Sequence, residues 1–258
     1  MNDPMGGSET TKKRKADQVA DVINRFLQNL VLKCGKDEGI RDYFHVGVIG
    51  YGNNDVVSPA FGGVLAGRDL VPIREIGENP SRIDERSKKI DDGAGGLVEQ
   101  SVKFPTWFDP VTNGGTPMVK ALGTAHSIIS KWLSQNPSCF PPIVINVTDG
   151  ESTDGDPTNA ADAIRILASS DGNVLLFNIH ISSQSVAPIH FPDSENGLPD
   201  DIARTLFRTS STLTETMQTY AKQKGYATSP ASKGFVFNAD ATSLIEFIDI
   251  GTRPSNLR

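Results

Sequence analysis

Residues 141–154, with the sequence PPIVINVTDGESTD, constrain the fold of this chain more than any other stretch. Its apolar part, IVINV at 143–147, is a short β-branched run with two prolines before it and an Asp-Gly turn after it. This pattern is typical of a strand buried on both faces, as in the middle of a parallel sheet. Asp149 ends the strand and Gly150 frees the backbone to turn. Because open α/β sheets bind ligands outside the carboxyl ends of their strands, Asp149 is a candidate site residue.

Apolar periodicity elsewhere predicts helices that alternate with strands. The predicted helices are 12–32, 117–135, 157–169, 200–209, 213–225 and 243–250, and the predicted strands are 43–51, 143–148, 174–181 and 235–237. Such alternation indicates an α/β fold with a mainly parallel sheet flanked by helices. Residues 56–104 are less regular, and we expect an insertion there with short strands at 64–65 and 70–76, a small hairpin and a flexible joint at 93–96. Residues 182–199 are predicted to form a long polar loop.

The composition of the 258 residues is that of an ordinary globular protein. A net charge of −6 argues against a nucleic-acid partner, in spite of the basic run at 12–15. Two cysteines, Cys34 and Cys139, are too few for a disulfide framework or a zinc set. No apolar run approaches the length of about 20 residues that a membrane span needs, and no signal peptide opens the chain. These features predict a cytoplasmic protein without a membrane partner.

Several enzyme signatures are missing from the sequence. It contains neither a phosphate-binding loop G-x-x-x-x-G-K-[ST] nor a nucleophile elbow G-x-S-x-G. The glycines at 47, 50 and 52 lie inside a predicted strand and in the wrong order for a dinucleotide fingerprint. The four histidines show no metal-ligand spacing, and His45 and His180 are expected to be satisfied histidines in or beside strands.

What remains is a set of oxygen donors in loops predicted at one edge of the sheet. Thr116 heads a helix after Gly114-Gly115, and Asp149 ends the strand at 143–148. A hydroxyl, a carboxylate and water are hard oxygen ligands that suit Mg²⁺ or Mn²⁺. The alternative is that Thr116 only caps its helix, followed by Pro at the first helical position, and that Asp149 is only a turn residue.

The strand end VTDGES, with the helix start GGTPM some thirty residues before it, resembles the von Willebrand factor A-type domain, in particular its bacterial intracellular members. The resemblance covers roughly residues 10–250 and implies a single Rossmann-like, doubly wound domain with an insertion at about 56–104. In that family, three loops build a metal-ion-dependent adhesion site: an Asp-x-Ser-x-Ser after the first strand, a Thr and an Asp. Thr116 and Asp149 match the second and third of these.

The front of the chain departs from the family pattern. The Asp-x-Ser-x-Ser element and the hydrophobic strand before it are not found. Residues 1–9 are expected to be a loop remnant before the first helix, with the first central strand missing, and residues 251–258 a C-terminal tail. In the A-type topology that strand would lie between the strands predicted at 43–51 and 143–148. Asp3 and Ser8 do not reproduce the spacing of the motif.

The resemblance implies a divalent-cation-linked protein-binding module and not an enzyme. Thr116 and Asp149 would hold Mg²⁺ or Mn²⁺, directly or through water, and a partner's Asp or Glu carboxylate would fill an open position on the ion. The expected rim comprises Asn53, Asp55, Glu151 and Ser152, although each alone could be a solvated loop residue. One alternative is a metal-dependent phosphoryl or ester hydrolase centred on Asp149, although the second carboxylate of an Asp-x-Asp pair and a base beside it are not found. The other is a structural scaffold with a dead metal site.

Overall fold

A computed structural model of the chain describes residues 14–91, 96–111, 114–181 and 186–252, except for the side chains of residues 53, 88–91 and 97. The helices in these residues are α1 Lys15–Cys34, α2 Ile73–Glu78, α3 Met118–Gln135, α4 Thr158–Ile166, α5 Asp201–Thr209, α6 Glu215–Gln223 and α7 Ala241–Gly251. The strands are β1 Gly35–Lys36, β2 Gly39–Ile40, β3 His45–Val46, β4 Ile49–Asn53, β5 Val56–Pro59, β6 Val71–Pro72, β7 Arg82–Asp91, β8 Leu97–Thr106, β9 Ile143–Thr148, β10 Ala168–Ser169, β11 Gly172–Asn173, β12 Leu175–His180, β13 Ile189–His190 and β14 Phe235–Phe237.

The chain divides into two compact units. The sheet unit comprises residues 1–19, 49–58 and 111–258, and the hairpin unit comprises residues 20–48 and 59–110. The hairpin unit therefore contains most of the predicted insertion together with the greater part of α1.

The sheet unit is built on a mixed four-stranded sheet. Its order is β13-β14-β12-β9, in which β9, β12 and β14 run parallel and β13 runs antiparallel to β14. Strand β12 pairs with β9 over its whole length, from Leu175 opposite Ile143 to His180 opposite Thr148. The core of this unit lies among α3, α4, α5 and the sheet, and includes Leu122, Ile164, Leu176, Leu206 and Phe235.

Close packing in the sheet unit depends on glycine at one ladder position. A Cβ added to Gly234 would lie 2.0 Å from the Phe177 ring, so the chain entering β14 can pass beside β12 only without a side chain. The Phe177 ring is fully buried and makes an edge-on contact with Phe247 of α7 at 6.0 Å between ring centroids. This contact helps to hold the last helix against the sheet.

The hairpin unit is held by a long antiparallel hairpin and a buried tryptophan. Strands β7 and β8 pair from Arg82 opposite Thr106 to Asp91 opposite Leu97. Trp107 is 2% exposed and its indole donates a hydrogen bond to the Ile76 carbonyl at 2.6 Å. Phe108 is buried as well, so both aromatic side chains pack the segment after β8 into this unit.

Several boundaries differ from the prediction. The strand predicted at 43–51 is two strands, β3 and β4, and the strand predicted at 70–76 is the two-residue β6 followed by helix α2. The strand predicted at 64–65 is a single turn of 3-10 helix, Gly63–Leu65. The predicted loop 182–199 contains β13. Residues 1–9, most of the joint at 93–96 and most of the tail at 251–258 lie outside the described residues.

Strand β9 is also less buried than its sequence predicts. Among the described residues it lies at the end of the sheet, with β12 on one side and no ladder on the other. Its residues at 143–145 and Val147 are accordingly half-buried, whereas β12 is buried from Leu176 to His180. A β-branched composition indicates a strand but does not distinguish an end from a central position, because pairing depends on distant segments.

Candidate functional site

Three loops of the sheet unit meet at the carboxyl end of β9. They are residues 54–55 after β4, residues 114–116 before α3 and residues 149–154 after β9. The Gly115 amide donates to Asp55 Oδ1 at 3.1 Å, which joins the first loop to the second. The Thr116 amide donates to Thr153 Oγ1 at 2.8 Å, and the Thr153 amide donates to the Thr116 carbonyl at 2.9 Å. This reciprocal pair joins the second loop to the third.

Glycine is required where the loops approach each other. Gly114 has a φ of +94°, which side-chain-bearing residues rarely adopt. A Cβ on Gly115 would lie 2.5 Å from Thr153 Oγ1 and 2.8 Å from Asp55 Oδ1. The Gly114-Gly115 pair therefore allows the backbone before Thr116 to touch both neighbouring loops.

The N-terminus of α3 is capped from the loop after β9. Asp154 accepts hydrogen bonds from the amides of Val119 at 3.0 Å and Lys120 at 2.9 Å, and from the Ser152 hydroxyl at 2.9 Å. Burial acts to raise the pKa of Asp154, but the hydrogen bonds from Lys120, Val119 and Ser152 outweigh it, so this pKa lies below its usual value. The carboxylate stays charged and neutralises the positive end of the helix.

Thr116 is not the helix cap that its sequence context suggested. Helix α3 begins at Met118, and the preceding residue, Pro117, makes no side-chain cap. Because Asp154 supplies the cap, the Thr116 hydroxyl is not needed there, and it forms no hydrogen bond with any described part of the chain. The backbone amide and carbonyl of Thr116 are both held by Thr153. Thr116 is therefore fixed in position, with a hydroxyl that no residue in the described part of the chain engages.

Asp149 follows β9 directly and is half-buried. Thr148 fixes the turn that presents it, because its hydroxyl donates to the Gly150 carbonyl at 3.1 Å and accepts from the Gly150 amide at 3.3 Å. Thr116 Oγ1 lies 3.6 Å from the position that a Cβ on Gly150 would occupy. The structure thus brings the Thr116 hydroxyl against the Asp149-Gly150 turn.

A hydrogen-bonded chain of polar side chains runs beneath this turn. The Tyr51 hydroxyl donates to Asn146 Oδ1 at 2.6 Å, and Asn146 Nδ2 donates to Asn178 Oδ1 at 2.9 Å. Burial raises the pKa of Tyr51; a hydrogen bond from Thr148 opposes this rise, and the Asp149 carboxylate adds to it. Tyr51 is therefore a neutral hydrogen-bond donor at physiological pH, and the charge of Asp149 favours this neutral form.

The predicted rim residues are only partly assembled. Asp55 contacts Gly115, and Ser152 contacts Asp154, so both belong to the joined loops. Glu151 is exposed and makes no hydrogen bond to the described residues. The side chain of Asn53 lies outside the described part of the chain.

The sequence did not point to three residues that hold the loops together, namely Thr148, Thr153 and Asp154. The Thr148 and Thr153 hydroxyls and the Asp154 carboxylate position the loops through backbone contacts. The density of hydroxyl and carboxyl residues in TDGESTD was a usable signal, because such side chains bond readily to nearby backbone groups.

The donors present suit a hard divalent cation, although they form only part of a coordination shell. Thr116 offers an unused hydroxyl and Asp149 a carboxylate in the adjoining turn. Mg²⁺ is commonly held by one or two protein carboxylates and retains several waters. Within residues 14–91, 96–111, 114–181 and 186–252 there is no cluster of three or more His, Cys, Asp or Glu that could hold a metal. A site here would therefore depend on the hydroxyl and on water.

Comparison of the chain with protein-family models, with curated proteins and with solved structures found no match. None of the helices in the described ranges has the length and apolar character needed to cross a membrane.

Proposed function

We propose that this chain is an A-type domain that binds a protein partner through a divalent cation, Mg²⁺ or Mn²⁺, held by Thr116 and Asp149. The observation that carries the proposal is the position of the Thr116 hydroxyl, which faces the Asp149 turn. Thr153 fixes the backbone amide and carbonyl of Thr116, and Asp154 caps α3 in its place. A hydroxyl positioned in this way is ready to bind an ion or its water.

The charge around the site supports a cation-dependent partner. Asp55, Asp149, Glu151 and Asp154 place four carboxylates on the joined loops. They attract a dication and repel an acidic partner when no cation is present. When bound, the cation would offer an open coordination position to a partner's Asp or Glu carboxylate. Asn53, Asp55, Glu151 and Ser152 are proposed to contact the rest of that partner.

The same proposal places the protein in the cytoplasm. Its two cysteines, Cys34 and Cys139, are free thiols, which agrees with a reducing compartment.

A pull-down with immobilised protein in Mg²⁺ tests this function. The proposal predicts that specific partners are released by EDTA and are not retained by Asp149→Ala. Asp171→Ala is the matched control, because it removes an exposed acid in the turn between β10 and β11. Retention that is equal with and without EDTA, and equal for Asp149→Ala, would instead identify a scaffold.

A second assay separates the binding module from an enzyme. The protein is incubated with p-nitrophenyl phosphate and p-nitrophenyl acetate in the presence of Mg²⁺ or Mn²⁺. The proposal predicts no turnover above that of Asp149→Ala. Metal-dependent turnover that Asp149→Ala abolishes would contradict it and favour a hydrolase.

A further inference from the structure

The Lys15 side chain is buried at the carboxyl end of the sheet. It is 2% exposed, and its ammonium donates to the Ile181 carbonyl at 3.4 Å, a long hydrogen bond. An ammonium group has three donors and is strongly hydrated in water, so its burial is costly unless other groups compensate its charge. The surroundings of Lys15 must therefore contain features that stabilise a positive charge.

The ladder between β9 and β12 shows where this ammonium lies. The Ile181 amide donates to the Thr148 carbonyl at 2.8 Å, which continues the parallel ladder one residue beyond β12. In a regular parallel ladder the next bond would run from the Gly150 amide to the Ile181 carbonyl. The Gly150 amide instead donates to Thr148 Oγ1, because the chain turns away at Asp149. The Lys15 ammonium donates to the Ile181 carbonyl in place of that amide. Ile181 follows His180, which pairs with Thr148, so this contact lies at the level where the chain turns at Asp149.

His180 lies within the electrostatic influence of both Lys15 and Asp149. It is 4% exposed, and its Nδ1 atom has no hydrogen-bond partner within the described ranges of the chain. Burial lowers the pKa of His180; the Asp200 and Asp149 carboxylates oppose this effect, and the Lys15 ammonium adds to it. The charges of Lys15 and Asp149 thus act on the same imidazole ring.

We infer that Lys15 acts as an internal cation for the Asp149 turn. Its ammonium balances the charge of the Asp149 carboxylate in the absence of a divalent ion, and it lowers the affinity of this edge of the sheet for a divalent ion. The inference rests on the proposed function, because it concerns the same cation site. An ammonium close to a dication repels it, and the repulsion is substantial where water is largely excluded. Lys15 therefore sets the cation concentration at which the site becomes occupied.

Mn²⁺ titration tests this role of Lys15, with the free ion measured by electron paramagnetic resonance. Lys15→Met and Lys15→Gln remove the charge, and each should bind Mn²⁺ at least about fivefold more tightly than the wild type. Lys15→Arg retains the charge and should bind within about twofold of the wild type. Lys33→Met, at the other end of α1, is the control for net charge and should also stay within about twofold. Circular-dichroism melting identifies which Lys15 variants remain folded.

The outcomes distinguish this inference from the proposed function. Equal Mn²⁺ affinity of the wild type and the neutral Lys15 variants, with binding lost in Asp149→Ala, would overturn the role of Lys15 and leave the cation site in place. Tighter binding by Lys15→Arg as well would also overturn it, because the charge would then not be the cause. Absence of Mn²⁺ binding to the wild type and to every Lys15 variant would overturn the cation site itself.

Discussion

Asp154, in the loop after β9, accepts a hydrogen bond from the Val119 amide in the first turn of α3 at 3.0 Å. With a second bond from the next amide, this carboxylate both caps the helix and fixes the loop that follows Asp149. The cap comes from 35 residues along the chain and replaces the local cap that the sequence suggested.

The first prediction concerns this cap. Asp154→Ala should lower the free energy of unfolding by about 0.5–2 kcal/mol, as is typical for loss of a helix N-cap, and should also weaken Mg²⁺ binding because the site loop is released. Asp156→Ala is the matched control, because Asp156 binds the Thr158 amide at the start of α4. It should cost similar stability and leave Mg²⁺ binding unchanged. Urea denaturation and calorimetry measure the two effects. Unchanged Mg²⁺ affinity in Asp154→Ala would show that the cap does not organise the site.

The second prediction concerns the glycines before Thr116. Gly115→Ala places a methyl group against Thr153 Oγ1 and Asp55 Oδ1, so it should separate the loops, lower stability and reduce Mg²⁺ affinity. Gly123→Ala is its control, because Gly123 is exposed within α3 and an added Cβ meets nothing within 4 Å. It should raise the free energy of unfolding by about 0.5–1 kcal/mol. Thermal melts measure the change in stability of both variants. A Gly115→Ala variant that is more stable than the wild type would refute the close approach of the loops.

The third prediction concerns the buried carboxamides between β9 and β12. Asn178 accepts from Asn146 and donates to the Leu206 carbonyl at 3.0 Å and to Ser210 Oγ at 2.9 Å. Asn178→Leu leaves these groups without their partner and should cost about 2–4 kcal/mol. Asn173→Leu, at an exposed position, should cost less than about 1 kcal/mol.

A double-mutant cycle gives a sharper test of this network. The Asn146→Leu/Asn178→Leu variant should be less destabilised than the sum of the two single variants, because each single change leaves a buried carboxamide unsatisfied. Additive losses in chemical denaturation would show that the two side chains are not coupled.

The fourth prediction concerns pH. Burial lowers the pKa of His180 and of His190. The unfolded chain therefore takes up protons at a higher pH than the native protein, and the free energy of unfolding should fall as the pH drops below about 6.5. His180→Leu should reduce this fall between pH 7.5 and 5. Denaturation at a series of pH values measures the slopes. An unchanged slope in His180→Leu would mean that this histidine does not contribute.

The sequence predicted local features well where a segment carries its own signal. The strand at 143–148 and the strand at 235–237 have the predicted bounds, because a short β-branched or aromatic run between turn residues is sufficient to mark a strand. The helix predicted at 117–135 begins at Met118, one residue late. Asp149 and Thr116 were predicted to share one site. The structure places the Thr116 hydroxyl beside the Asp149-Gly150 turn, and the site itself stays a prediction.

Features that depend on distant partners were not predicted. Three features each require contacts between segments far apart in the chain: the place of β9 at the end of the sheet within the described residues, the cap that Asp154 gives to α3, and the burial of Lys15. Lys15 belongs to the basic run at 12–15, yet its own side chain is buried. Charge type predicts exposure on average and cannot identify the exception.

Direct calorimetric titration with Mg²⁺ tests the central claim, that Thr116 and Asp149 hold a divalent cation. We expect saturable binding of one Mg²⁺ by the wild type at millimolar concentration, weaker binding by Thr116→Val and none by Asp149→Ala. Thr124→Val, within α3, should match the wild type, because the Thr124 hydroxyl donates to the Lys120 carbonyl of its own helix. Binding that survives unchanged in Asp149→Ala, or its absence from the folded wild-type protein, would contradict the account.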